Sequence, residues 1–247
     1  MSDDLQYIGI TEAGDPAFNL DVFDKLYDGN IIITKSLTDK LIEKLIENKD
    51  KCILHFTVTG QGGTILEPFV PTVEQSVKKF KKLIDGGFPV KQTVLRIDPI
   101  IPTEKGTNKA LHVLESFKDF GIERVRISFL DMYKHVKERF DEVGLKHPYE
   151  DFHAPLVERK LAFKQILNLS MKLGYGTVET CGEPNFPSTP CLSQKDVDIL
   201  NLTDKVELKD NKGQRKTCGC PGNKKELIKK KPKPCQHKCL YCFWQSK

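Results

Sequence analysis

The sequence predicts an α/β fold, a partial (β/α)6 barrel of the TIM-like type with a cysteine-rich extension. Three observations point there. Six short runs rich in β-branched residues alternate with helical periodicities, glycines stand where the helices should end, and several strands alternate apolar with polar residues.

The strands read as Tyr7–Ile10, Ile31–Thr34, Cys52–Thr59, Val90–Asp98, Arg124–Leu130 and Gly176–Thr180. Between the second and third, residues 36–48 carry apolar side chains at Leu37, Leu41, Leu45 and Ile46, one face of a helix. Residues 72–85 repeat the spacing through Val73, Val77, Phe80 and Leu83, and residues 107–120 and 155–173 follow the same pattern. Gly86-Gly87, Gly121 and Gly174 fall at helix C-caps, where a left-handed residue is common. Strands separated by helices form right-handed βαβ units on a parallel sheet. The predicted organisation is a barrel over residues 1–200 and a cysteine- and lysine-rich segment over 201–247, packed on the barrel mouth.

Leu54, Phe56 and Val58 alternate with His55, Thr57 and Thr59; Leu95 and Ile97 alternate with Arg96 and Asp98. Val125, Ile127 and Phe129 alternate with Arg126 and Ser128, and Val178 with Thr177, Glu179 and Cys181. Helices cover the apolar face, so the polar residues face inward, where buried charges need partners. A bound polar ligand satisfies them, with His55, Thr57, Arg126 and Glu179 as substrate-lining candidates; an internal salt-bridge network is the other solution. Ligand contacts in such barrels gather at the C-terminal strand ends. Here these are Thr34, Lys35, the turn Thr59-Gly60-Gln61-Gly62-Gly63-Thr64, Asp98, Ser128, Asp131 and Glu179.

Of 247 residues, 38% are apolar and 30% charged, which suits a globular chain with a core. No run approaches the ~18 apolar residues of a membrane span, so no membrane partner is expected. The start, Met1-Ser2-Asp3-Asp4, is acidic and unlike a signal peptide. The expected compartment is therefore the reducing cytoplasm, where the eight cysteines suit metal binding or catalysis better than disulfides. Seven of them follow residue 180. From residue 212 onward, ten Lys and Arg215 face Glu226 alone. That charge either attracts nucleic acid or offsets metal-bound thiolates.

Cys235, Cys239 and Cys242 form a CxxxCxxC motif. Three thiolates on one loop can hold three irons of a [4Fe–4S] cube and leave the fourth open to a chelating ligand. The spacing, with Tyr241 before the third cysteine, resembles the radical S-adenosylmethionine (radical SAM) superfamily. With the motif at the end of the chain, the arrangement is similar to a family of uncharacterised bacterial and phage proteins whose C-terminal cysteines imitate the radical SAM loop. It is also similar to spore photoproduct lyase and DNA-repair-photolyase-like proteins. The stretches that carry the likeness are residues 31–36 (IIITKS), 57–68 (TVTGQGGTILEP), 95–102 (LRIDPIIP), 126–133 (RISFLDMY) and 218–244.

The resemblance implies a (β/α) barrel and a [4Fe–4S] cluster on Cys235, Cys239 and Cys242 as the catalytic centre. It implies reductive cleavage of SAM to a 5′-deoxyadenosyl radical, and a donor such as flavodoxin or ferredoxin. It places the Thr59–Gly63 turn (Thr59, Gly60, Gly62, Gly63) at SAM's amino group, Arg96, Asp98 and Ser128 along its ribose, and Tyr241 beside its adenine. The likeness to photoproduct lyase, with Lys224, Lys225, Lys229, Lys230, Lys231 and Lys233 near the mouth, points to a nucleic-acid base or nucleotide as substrate, for DNA repair or base modification.

The alternative is a non-catalytic, zinc-stabilised nucleic-acid-binding protein, with zinc on Cys235, Cys239, Cys242 and His237. His237 lies one residue from Cys235, which makes a shared tetrahedron awkward and favours a supporting or surface place for it. Cys181, Cys191, Cys218 and Cys220 make a candidate second site for zinc or another iron–sulfur cluster. Cys52, at a strand start, reads as a packed thiol, and Phe243 and Trp244 as packing that shields the loop.

Overall fold

The computed structural model describes residues 7–210, 217–228 and 235–244. Among them, seven strands form one parallel sheet: β1 (Ile8–Ile10), β2 (Asn30–Thr34), β3 (Cys52–Thr57), β4 (Thr93–Ile100), β5 (Arg124–Phe129), β6 (Thr177–Thr180) and β7 (Lys224–Glu226). Their order in space is β6-β5-β4-β3-β2-β1-β7. The first six are laid down in sequence order, as in a barrel, but the sheet is open: β6 and β7 are its edges. The α/β class and parallel sheet agree with the sequence, while barrel closure is absent among the described residues. The seventh strand, from the 201–247 segment, pairs with β1.

The helices are α1 (Asp39–Glu47), α2 (Val73–Asp85), α3 (Glu104–Phe117), α4 (Lys134–Glu142), α5 (Leu156–Lys172) and α6 (Gln194–Ile199). Thr38 and Thr103 cap α1 and α3, and Thr72 with Gln75 forms a capping box on α2. Gly87, Gly121 and Gly174 are left-handed near helix ends, whereas Gly86 stays helical.

Strand alternation sorts the two faces as predicted. Leu54, Phe56, Leu95, Ile97, Val125 and Ile127 pack with helix residues such as Leu41, Phe80, Val113 and Ile166. The opposite face carries Ile8, Ile10, Ile31, Ile53 and Val94, under Cys191, Leu192, Val197 and Leu200 from α6 and its flanks. The predicted polar lumen is therefore apolar over part of its length, because that segment lies across it. A third cluster joins Leu130, Met132, Val136 and Phe140 to Val70, Cys239 and Tyr241, seating the cysteine loop on α4. Among the described residues, no helix is long and apolar enough to cross a membrane.

Candidate metal centre

Two groups of thiols are brought together from the sequence, and each has its own surroundings. The first is the loop Cys235–Cys242, which lies by the C-terminal ends of β2, β3 and β4. Leu240 N–H donates to the Leu66 carbonyl at 3.0 Å, and Arg139 of α4 donates to the Cys242 carbonyl at 2.6 Å. Two buried carboxylates hold the rest of it. Glu67, wholly inaccessible, accepts from Thr59 Oγ1 at 2.6 Å, from Lys35 Nζ at 2.7 Å and from the Tyr241 hydroxyl. Asp15 accepts from Thr34 Oγ1 at 2.7 Å and Lys35 N–H at 2.8 Å, and its Oδ2 lies 2.9 Å from His237 Nε2. The other His237 ring nitrogen faces the Phe69 carbonyl at 3.3 Å. His237 is thus a buried latch rather than a surface residue, and both of its nitrogens are engaged. That removes it from the ligand set of the zinc alternative.

Cys235, Cys239 and Cys242 act on one another electrostatically across the loop, and Cys239 also faces Lys35. Burial pushes the Cys235 thiol up to about 11 and the Cys239 thiol up to about 12. As free thiols they keep their protons, so taking up a metal must release them. Burial would lower the pKa of Lys35, but Glu67 and Cys239 outweigh it and raise it, keeping a cation against the thiols. A groove of about 490 Å³ opens beside the loop between Phe18, Ser36, Phe69 and residues 235–238. A comparable hollow lines α3 at Glu104, Lys105 and His112, where none of the cysteines lies.

The turn at 59–67 is built differently from an anion cradle. Gln61 N–H donates to Thr59 Oγ1, Gly63 N–H to the Glu67 carbonyl, and Thr64 N–H to the Gln61 carbonyl. The glycines serve the turn itself: Gly60 and Gly63 are left-handed, and a Cβ on Gly62 would stand 2.0 Å from the Pro71 carbonyl oxygen. Those three amides are spent within the turn.

Asp98 accepts from Arg96 Nε at 2.7 Å and from the Ser128 hydroxyl, which hold its carboxyl low against burial. Lys35 Nζ reaches the Asp98 carbonyl at 3.4 Å, so this pair borders the loop. Arg124 and Arg126 share Glu179 through their Nε atoms at 3.1 and 3.0 Å, and Arg124 also binds Asp196 of α6 at 2.6 Å. A salt-bridge network therefore occupies the polar face. It is incomplete: Arg96 Nη1, Arg124 Nη2, Arg126 Nη1 and both His55 nitrogens are buried without a hydrogen-bond partner among the described residues. His55 is kept neutral by burial and by Arg126. His55 and Arg126 are wholly buried with Cys191 near them, and Thr57 is almost wholly buried.

The second thiol group lies on that face. Cys181 and Cys191 have their sulfurs 3.5 Å apart, Cys191 N–H donates to Cys220 Sγ at 3.2 Å, and Cys220 contacts both Cys191 and Cys218 through sulfur. Contacts with the Cys181 and Cys220 thiols lower the pKa of Cys191. Cys52 stands apart, packed in the core with its thiol pushed up to about 12 by burial. Among the described residues, no three Cys, His, Asp or Glu side chains already surround a common point as metal ligands.

A family model described as a domain of unknown function, DUF1848, matches residues 25–244. The chain belongs to that family. The match takes in β2 to β7, both thiol groups and Glu67, while Asp15 and β1 precede it. No curated protein matches the chain.

Family membership leaves the lysines to the structure. Lys224 is a strand residue, its ammonium bound to Glu12 at 2.8 Å, and Lys225 lies over the Tyr7 ring. They belong to the sheet edge rather than to a rim. Lys229, Lys230, Lys231 and Lys233 lie outside the described residues. Phe243 and Trp244 are more than half exposed; Phe243 contacts Tyr133, which also packs on Phe152. They leave open aromatic surface, more than a shield requires.

Sequence reasoning passed over Asp15, Glu67 and Arg139. Asp15-Pro16 is a helix-start signature, and Glu67 lies inside the 57–68 stretch, so both had a local signal. Arg139 had none, because α4 is highly charged.

Proposed function

We propose that this protein is a radical SAM enzyme that acts on a nucleic-acid base or nucleotide. One observation carries the reading: three thiols of a single loop, backed by Lys35, are held at the C-terminal strand ends by two buried carboxylates from distant parts of the chain. The donor set fits a cluster bound at three corners, since His237 is turned away and the thiols belong to one short loop. Bound there with SAM, such a cluster supplies an electron for reductive cleavage and a 5′-deoxyadenosyl radical that removes hydrogen from substrate.

The chain's own residues then have three tasks. Cys235, Cys239 and Cys242 would hold the cluster, and Lys35 offsets thiolate charge. Glu67 and Asp15 fix the loop through Tyr241 and His237, and Leu66, Val70 and Leu130 keep water from its inner side. Asp98, held by Arg96 and Ser128 next to Lys35, is the polar group best placed to orient SAM. Exposed Phe69, Phe152, Phe243 and Trp244 favour an unpaired base as substrate, since base–ring stacking contributes roughly 1–3 kcal/mol each.

The test is anaerobic purification followed by iron, sulfide and product analysis. The expected result is a coloured protein with ~4 irons per chain, lost in Cys239→Ala, that releases 5′-deoxyadenosine from SAM under dithionite or reduced flavodoxin. An iron-replete protein that leaves SAM intact overturns the assignment. For the substrate class, single-stranded oligonucleotide binding should weaken about 5- to 150-fold in Trp244→Ala and fall with salt. Unchanged binding in Trp244→Ala and in a Lys229–231→Gln variant removes nucleic acid.

A further inference from the structure

The second thiol group stands independently of the cysteine loop and of the reading just given. We propose that Cys181, Cys191, Cys218 and Cys220 bind a single zinc ion that ties the strap behind β6 to the segment before β7.

The four sulfurs come from three separate stretches of chain. Cys181 follows β6, Cys191 lies in the strap crossing the sheet, and Cys218 and Cys220 precede β7. Chance packing of small thiols does not explain what surrounds them. The sulfurs follow one another as Cys181–Cys191–Cys220–Cys218: the first pair is 3.5 Å apart, Cys191 N–H reaches Cys220 Sγ at 3.2 Å, and Cys218 and Cys220 interact electrostatically. A zinc ion with Zn–S bonds of ~2.3 Å sets its four sulfurs roughly 3.8 Å apart along the edges of a tetrahedron. A four-iron cube carries its cysteines on outer corners and separates them much further. The 3.5 Å between Cys181 and Cys191 is on the scale of one ion.

The string is not yet a tetrahedron, and its geometry shows how it would close. Cys191 and Cys220, the middle members, are buried, while Cys181 and Cys218, the ends, are only partly so. Rotation of the two end side chains is the movement required. The pair at 218 and 220 is separated by Gly219, where even an added Cβ would make only ordinary contact, 3.8 Å from Pro190, so the turn between them is not wedged in place.

A second observation concerns hydrogen bonds. Metal-bound thiolates accept N–H donors around the site. Cys191 N–H already donates to Cys220 Sγ at 3.2 Å. The Nη1 atoms of half-buried Arg96 and of buried Arg126 are inaccessible and have no hydrogen-bond partner among the described residues, and both side chains act electrostatically on Cys191. Arg96 also acts on Cys181. Lys224, which acts on Cys191 and Cys220, adds a cation at the far side. Four thiolates around Zn²⁺ carry a net charge of −2, and these cations with orphaned donors are what a buried anionic centre needs.

The experiment is metal analysis of the full chain from zinc- and iron-supplemented cells. Wild type should hold about one zinc per chain. Cys191→Ser and Cys220→Ser should lose at least nine-tenths of it with iron unchanged, and Cys239→Ala should lose iron with zinc unchanged. Because Cys191→Ser can fail to fold, cobalt-reconstituted wild type gives a separate readout: intense visible bands of a tetrahedral thiolate site. Absence of zinc from folded wild type, or loss of iron rather than zinc in Cys220→Ser, overturns the site. The iron in the Cys235–Cys242 loop answers separately, so either assignment can fail alone.

Discussion

Replacing Lys35 by Met tests the seating of the cysteine loop. Lys35 Nζ lies 2.7 Å from Glu67, whose side chain has no solvent exposure, while the lysine keeps 18% of its own. Removing one partner of a buried ion pair costs about 3–5 kcal/mol because the other charge is stranded. Thr59 and Tyr241 still donate to Glu67, and water reaches the lysine site, so the low end applies: a loss of about 3 kcal/mol. For a chain of this size each kcal/mol moves Tm by about 2–4 °C, giving a fall of roughly 6–12 °C. Glu67→Gln removes the charge that Lys35 compensates, so the double variant Lys35→Met/Glu67→Gln should return to within about 1 kcal/mol of wild type. The assay is urea unfolding of all four proteins at one pH, read as a double-mutant cycle. A neutral Lys35→Met, or losses that simply add in the double variant, refutes the claim that this pair anchors the loop.

Three further outcomes follow from named contacts. Glu183 is buried, and its carboxyl is pushed up to about 7 by desolvation. The native state holds that proton more tightly than the unfolded chain does, so its contribution is fully present below about pH 4.5 and is lost as pH rises through about 7. Glu183→Gln should therefore gain on wild type by about 3 kcal/mol between pH 5 and pH 8; parallel stability curves for the two proteins dismiss this. Asp15→Asn weakens charge-assisted bonds to His237 and Thr34, an expected loss of about 1.5–3 kcal/mol, together with faster protease cleavage near residues 235–244. An unaltered cleavage pattern would show that Asp15 does not hold the loop. Gly62→Ala forces a methyl to 2.0 Å from the Pro71 carbonyl oxygen, so the turn must open at a cost of about 1–3 kcal/mol; a variant as stable as wild type would place the strain elsewhere.

Much of the sheet is legible in the sequence because one face packs apolar side chains against helices and the other carries a polar network, which leaves a period of two. His55 between Leu54 and Phe56, or Arg126 between Val125 and Ile127, announces two faces in three residues. β7 is hidden for the opposite reason. Its Lys-Lys-Glu has no apolar alternation; its pairing with β1, the Lys224–Glu12 bond and the Glu226 carboxylate's bonds to the Glu12 and Ala13 amides make it a strand. α6, six residues long, is too short for periodicity and rests on the Ser193–Asp196 capping box. The thiols are legible as a set, since their residue type is rare and clustered. Their division into two groups is a matter of chain path. The loop's carboxylates were invisible as a pair because Asp15 and His237 are 222 residues apart, and no local pattern encodes such a contact.

Synthesis on the ribosome runs in one direction, and Asp15 and Glu67 are made long before His237 and Tyr241. Until residues 237 and 241 emerge, these two carboxylates in the nascent sheet keep Thr34, Lys35 and Thr59 as partners and wait for their last ones. Docking of the cysteine loop therefore follows assembly of the sheet it rests on, and the surface that receives it is already formed when it arrives.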